Sequence, residues 1–76
     1  MVEKDETLDC LGLLCPAPIV KLSKTMKKME TGKILELIAD NEGALEDVPA
    51  WCRKTGNELV DSVTNNNVYK FYIKKS

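Results

Sequence analysis

The chain has 76 residues, a formal net charge of −1, three cysteines and no histidine. That length suits one domain over 1–76, and a domain this small buries only about 60% of its unfolded surface, which leaves little room for an enclosed active-site cavity. The charge excludes a strongly basic nucleic-acid domain, and the lack of histidine excludes a Cys–His nucleophile pair.

No apolar run approaches the roughly 20 residues that span a membrane. Met1 to Glu6 is charged and lacks the apolar centre of a secretion signal, so the cytoplasm is the expected location, with the cysteines as thiols. Thr7 to Cys10 alternates polar and apolar residues and predicts a short first strand. An apolar loop, Leu11-Gly12-Leu13-Leu14, follows, in which Gly12 can supply an unusual backbone angle. A helix is expected from about Pro16 to Met29. Its apolar stripe is Ile19, Leu22, Met26 and Met29, and Lys24, Lys27 and Lys28 suit the negative end of its dipole. Gly32 reads as its stop.

Lys33 to Ala39 is the second strand, with Glu36 inside it, and Asp40-Asn41-Glu42 is a turn able to cap the next helix. The second helix covers roughly Gly43 to Thr55, with Leu45, Val48 and Cys52 on one face and Gly56 as its end signal. Pro49 lies inside that span, so a later start with Asp47 as N-cap is an alternative. Glu58 to Thr64 and Val68 to Lys74 are two strands joined across Asn65-Asn66-Asn67, residues that tolerate left-handed conformations. The order β-α-β-α-β-β, with one apolar stripe per helix, predicts an α+β fold of two layers in which the helices cover one face of a small sheet.

Chemistry concentrates at Cys15-Pro16-Ala17-Pro18. Proline is accepted in the first turn of a helix, which places Cys15 at or beside the N-cap, facing unpaired amide hydrogens and the positive end of the dipole. A thiolate there is stabilised, and its pKa should fall below the free value of about 8.5. Asp9 would raise a nearby thiol pKa, so the helix terminus is the evident activator. These features suit exchange of sulfur between thiols. Cys10 and Cys52 fall on apolar faces and read as core thiols. The cysteine spacing matches no zinc site, and no metal is expected. A redox sensor that pairs Cys10 with Cys15 is an alternative, although the spacing is not Cys-x-x-Cys. Lys21, Lys24, Lys27 and Lys28 make the first helix basic outside its stripe, which suits docking of an acidic partner, while Glu42, Glu46 and Asp47 gather acid around the second helix. An RNA-binding or regulatory module on those lysines is a further alternative. The lack of aromatics among them speaks against a base-stacking surface. Trp51 reads as core or as an interface anchor.

These residues resemble the TusA/SirA family of sulfur carrier proteins, whose hallmark is Cys-Pro-x-Pro at the start of the first helix after an Asp and a Gly-Leu pair. Here those are Asp9, Gly12-Leu13 and Cys15-Pro16-Ala17-Pro18. The likeness extends through Lys21, Gly32, Ile38-Ala39-Asp40, Asp47-Val48-Pro49, Cys52, Gly56 and Leu59 to the closing hairpin, so it spans nearly the whole chain. It departs from many relatives at Asn41, where a second acid often follows Asp40, and at Asn57, often a histidine. The resemblance implies a two-layer α/β sandwich with a four-stranded mixed sheet and both helices on one face. It also implies that Cys15 carries sulfane sulfur as a persulfide, with Pro16 and Pro18 shaping the turn that presents it. The implied partners are a cysteine desulfurase or other sulfur donor and a downstream acceptor protein, toward tRNA thiolation, molybdenum cofactor, sulfur oxidation or selenium metabolism. The carrier is expected to act as a monomer without a cofactor, without turnover of its own, and without membrane association or strong direct nucleic-acid binding.

Overall fold

Strands β1 (Glu6–Cys10), β2 (Ile34–Ala39), β3 (Glu58–Asn65) and β4 (Val68–Lys74) form one sheet in the order β1-β2-β4-β3. Helix α1 (Ala17–Lys28) joins β1 to β2, and helix α2 (Ala44–Thr55) joins β2 to β3. The structure, a computed structural model, describes residues 4–12 and 17–76. β1 runs parallel to β2, whereas β4 is antiparallel to both β2 and β3. β2 and β3 are therefore parallel to each other with β4 between them, and each helix serves as a crossover between parallel strands. The expected α+β fold with a mixed four-stranded sheet is the fold observed.

Alternation along β2 and β4 sets the layers. Leu35 faces Ile73, Leu37 faces Phe71 and Ala39 faces Tyr69, and all six are buried. Successive strand residues point to opposite faces, so these six line one side of the sheet. Pro18, Leu22 and Met26 of α1 and Ala44, Val48 and Cys52 of α2 are the buried helix residues. Ile19, Met29 and Trp51 are partly buried against the same core. Trp51 also lines a groove of about 300 Å³ with Ser23, Met26, Lys27 and Thr55.

Several boundaries differ from expectation for local reasons. α2 starts at Ala44 with Pro49 well inside it, and Asp47 is its fourth residue instead of its N-cap. The turn before it makes this possible. The Asn41 side chain accepts the Gly43 N–H at 2.8 Å, and the Ala44 N–H donates to the Asn41 carbonyl at 3.0 Å. The buried stripe then runs Ala44, Val48, Cys52, and Leu45, about 100° away round the helix, is 45% exposed. α1 stops at Lys28, four residues before Gly32, and the Met29 N–H closes a tight turn onto the Met26 carbonyl. At α2 the glycine signal holds, since Gly56 is left-handed with φ 78°. The hairpin also follows its asparagines: Asn66 and Asn67 have φ of 48° and 65°, and Asn65 pairs with Val68. β3 extends past the helices as an outer strand, with a bulge between Leu59 and Asp61, and only Leu59 is even half-buried.

On the sheet face away from the core, Glu36 is 5% exposed. It is well partnered: Lys4 Nζ donates to Oε1 at 2.8 Å and the Tyr72 hydroxyl to Oε2 at 2.7 Å. The Lys4 hydrogen bond, followed by that from Tyr72, holds the Glu36 carboxyl below its usual range. The same Glu36–Tyr72 bond keeps the phenol proton on and raises the Tyr72 pKa. A lowered carboxyl pKa stabilises the fold above the unfolded-state value, and that stability is lost as pH falls through the folded-state value. Glu36→Gln should therefore cost about 1–3 kcal/mol near neutral pH and much less near pH ~3, as read from urea unfolding at both pH values. An equal loss at both would mean that the carboxylate charge is not the source.

Candidate functional site

β1 and β2 end level with each other, Cys10 opposite Ala39. The chain then turns at Leu11 and Gly12, and two carboxylates hold that corner. Asp9 Oδ1 accepts the Leu11 N–H at 2.9 Å. Both oxygens of Asp40, one residue beyond β2, accept the Gly12 N–H, at 3.0 and 3.1 Å. Gly12 has φ of +78°, and a Cβ built there would meet nothing within 4 Å. The position thus needs glycine for its backbone angle and not for space. Gly12 takes the unusual angle expected of it, and Asp9 lies in the corner as a hydrogen-bond acceptor.

Cys15 and Pro16, with Leu13 and Leu14, lie outside the described residues. Beyond them α1 begins at Ala17, and Pro18 is buried in its first turn, where a missing N–H leaves no gap in the helix. Lys27 and Lys28 end the helix with the sign its dipole favours. The three candidate docking lysines are all exposed and, at i, i+3 and i+7, lie along one side of α1. Lys21 is near enough to Cys10 for its charge to pull that thiol's pKa down. Lys28 lies about 10 Å further along the helix axis and lines a groove with Asp5, Thr25, Glu30 and Lys33.

Cys10 and Cys52 are free and buried. Burial raises the Cys10 pKa, against the smaller downward pull of Lys21, and Asp9 adds to the rise. Burial alone pushes Cys52 up to about 11. Both are core thiols, protonated at neutral pH. Among the described residues no cluster of three or more Cys, Asp or Glu side chains is arranged to hold a metal ion. Among the same residues no helix is long and apolar enough to cross a membrane.

Sequence reasoning missed two features at this end of the sheet. The first is Asp40, which serves the corner at Gly12 while Asn41 accepts the Gly43 N–H in the turn before α2; strand pairing brings Asp40 there from 28 residues away, so no local pattern marks it. The second is a set of exposed apolar side chains, Leu11, Val20 and Leu45, at 46%, 47% and 45% exposure. Val20 offered a signal, being apolar yet off the stripe of α1.

Comparison with known proteins defines the class. Residues 6–75 match the family described as Sulfurtransferase TusA, and the chain belongs to that family. The sulfur carrier protein TusA of Allochromatium vinosum is 41% identical over 76 residues, covering 100% of each chain. YrkI of Bacillus subtilis is 39% identical over 74 residues, covering 97% of this chain and 99% of its own. Among solved structures, the SirA-like protein of Desulfitobacterium hafniense superposes with a TM-score of 0.80 at 22% identity, over 92% of this chain and 96% of that one, a likeness of fold.

Because Cys10 and Cys52 are buried with raised pKa values, native protein at about pH 8 should leave both unmodified by a thiol-alkylating reagent. Both should react once the protein is denatured, and peptide mass spectrometry reads the difference. Rapid native labelling of Cys10 would contradict its placement in the core.

Proposed function

We propose that the protein is a cytoplasmic sulfur carrier that holds sulfane sulfur as a persulfide on Cys15 and passes it from a donor such as a cysteine desulfurase to an acceptor protein, in tRNA thiolation, molybdenum cofactor synthesis or related sulfur metabolism. The observation that carries this reading is the Cys15-Pro16-Ala17-Pro18 motif running into α1 at Ala17, in a chain of the TusA family. Its two other thiols are buried, which leaves Cys15 as the candidate for exchange.

In the proposed step the Cys15 thiolate attacks the outer sulfur of the donor's persulfide. A new S–S bond forms at Cys15, the donor's S–S bond breaks, and its electron pair leaves with the donor thiolate, which then takes up a proton. Transfer to the acceptor repeats the exchange in the other direction, so no outside oxidant or reductant is consumed. The amide hydrogens and dipole at the start of α1 favour the ionised nucleophile, with Pro16 and Pro18 shaping the turn. Lys21, Lys24 and Lys28 offer exposed positive charge along α1 to an acidic partner surface.

Incubation with a cysteine desulfurase and cysteine should add about one sulfur atom to the wild type and none to Cys15→Ser, by intact mass. An adduct that persists in Cys15→Ser would sink the assignment. The rate of Cys15 alkylation against pH should give an apparent thiol pKa below about 8.5. A value at or above that would remove the helix terminus as the activator.

A further inference from the structure

We infer that the groove between α1 and α2 at Trp51 binds a nucleobase that carries a phosphate, with the ring against the indole and the phosphate at Lys27 or Lys75. The inference goes beyond the carrier reading and does not draw on Cys15. Read along the chain, the lysines of α1 have no aromatic residue among them. The fold supplies one. Trp51 comes from α2, directly before the buried Cys52, and its half-buried side chain lines the groove together with Lys27 from the last turn of α1. Met26, only 1% exposed, adds apolar surface, and Lys75 lines the groove from just beyond β4.

Charge selects the ligand. Among the described residues no Asp or Glu side chain lines this groove, whereas the larger groove beside Lys28 sets Asp5, Glu6 and Glu30 against Lys28 and Lys33. The ion pairs among those residues are Lys4–Glu36 and Lys33–Asp5, so the charges of Lys27 and Lys75 are unpaired at the Trp51 groove. An indole beside unpaired cations holds a base by stacking and its phosphate by charge. The volume of about 300 Å³ is at the small end of ligand sites, which suits one base and its phosphate.

The walls are set before a ligand arrives. Thr55 Oγ1 donates to the Trp51 carbonyl at 2.8 Å, Asn57 Nδ2 donates to Thr55 Oγ1 at 2.9 Å, and Asn57 Oδ1 accepts the Ser76 N–H at 2.9 Å. The Lys75 N–H donates to the Lys33 carbonyl and the Lys75 carbonyl accepts the Gly32 N–H, both at 2.8 Å. None of these bonds uses a lysine ammonium, so both cations stay open to a phosphate. Walls already ordered in the free protein lose little freedom on binding.

Trp51 is the one tryptophan of the chain, so its fluorescence reports on this groove. Adenosine monophosphate, adenosine, inorganic phosphate and single-stranded hexaadenylate are titrated into wild type and into the double variant Lys27→Gln, Lys75→Gln, with excitation where the base does not absorb. The monophosphate should quench wild-type Trp51 saturably at about one-fifth the concentration that adenosine needs, and phosphate alone should leave the signal unchanged. In the double variant the monophosphate and adenosine should need about the same concentration, with a melting temperature that matches wild type. Added salt should weaken the monophosphate and not adenosine. Half-saturation by the hexamer at least about tenfold below the monophosphate assigns the site to an unpaired nucleotide of RNA, and any smaller gap to a free nucleotide. A Trp51 signal that neither the monophosphate nor the hexamer changes would overturn the inference. So would equal responses to the monophosphate and adenosine in wild type, or a double variant that still tells them apart. Failure of Cys15 to load with sulfur bears on the carrier reading alone and leaves these titrations as they are.

Discussion

The antiparallel pairing of β2 with β4 is the constraint on which the molecule rests. Leu35, Leu37 and Ala39 meet Ile73, Phe71 and Tyr69 on one face, and the register of these pairs decides which side of the sheet can take the helices. A slip by one residue would turn that apolar row to solvent and bring Glu36 and Lys70 inward, so the register is strongly specified. β1 then adds to the other edge of β2 in parallel, level at Cys10 and Ala39. Two parallel connections follow, each through a helix, and both helices begin at the carboxyl ends of the strands before them. That geometry gathers the corner at Gly12, the start of α1, Asp40 and the start of α2 at one end of the sheet. In open α/β sheets such an end is the usual place for function.

Much of this order was legible in the residues because period and punctuation agreed. Leu22 and Met26 sit at helical spacing, and both are buried. Asn66 and Asn67 accept positive φ, and the hairpin turns on them. Gly56 ends α2 in the left-handed conformation that glycine favours. Where the reading erred, a competing interaction outweighed the local signal. Gly32 lost the end of α1 to a tight turn at Met29, and Leu45 lost its place in the stripe of α2 to Ala44. The resemblance implied a mixed four-stranded sheet but no strand order, and pattern gave none either. Nothing in the residues of β4 says that it inserts between β2 and β3.

The acids of the chain show most clearly what a sequence withholds. Glu36, Asp9 and Asp40 are single carboxylates in or beside strands, alike to any scale of polarity, and the fold gives them different work. Glu36 stands on an open sheet face yet is almost fully covered, by Lys4 and Tyr72, so its charge is compensated on the spot and its effect falls on stability. Asp9 and Asp40 remain exposed and accept backbone amides, which water could also do, so their effect falls on geometry. Burial separates the two cases, and burial is a property of the register, fixed by residues far along the chain.

That division bears on how a domain of 76 residues supports chemistry at all. A core this small leaves little room in which to enclose a reaction, which suits a carrier whose partner completes the site. On either side of the motif the described structure is well held, with Pro18 buried in α1 and the two aspartates accepting the Leu11 and Gly12 amides at the corner. Buried thiols could not serve, since Cys52 is pushed up to about 11 and stays protonated. Reactivity and packing thus pull a cysteine in opposite directions, and the fold commits Cys10 and Cys52 to packing.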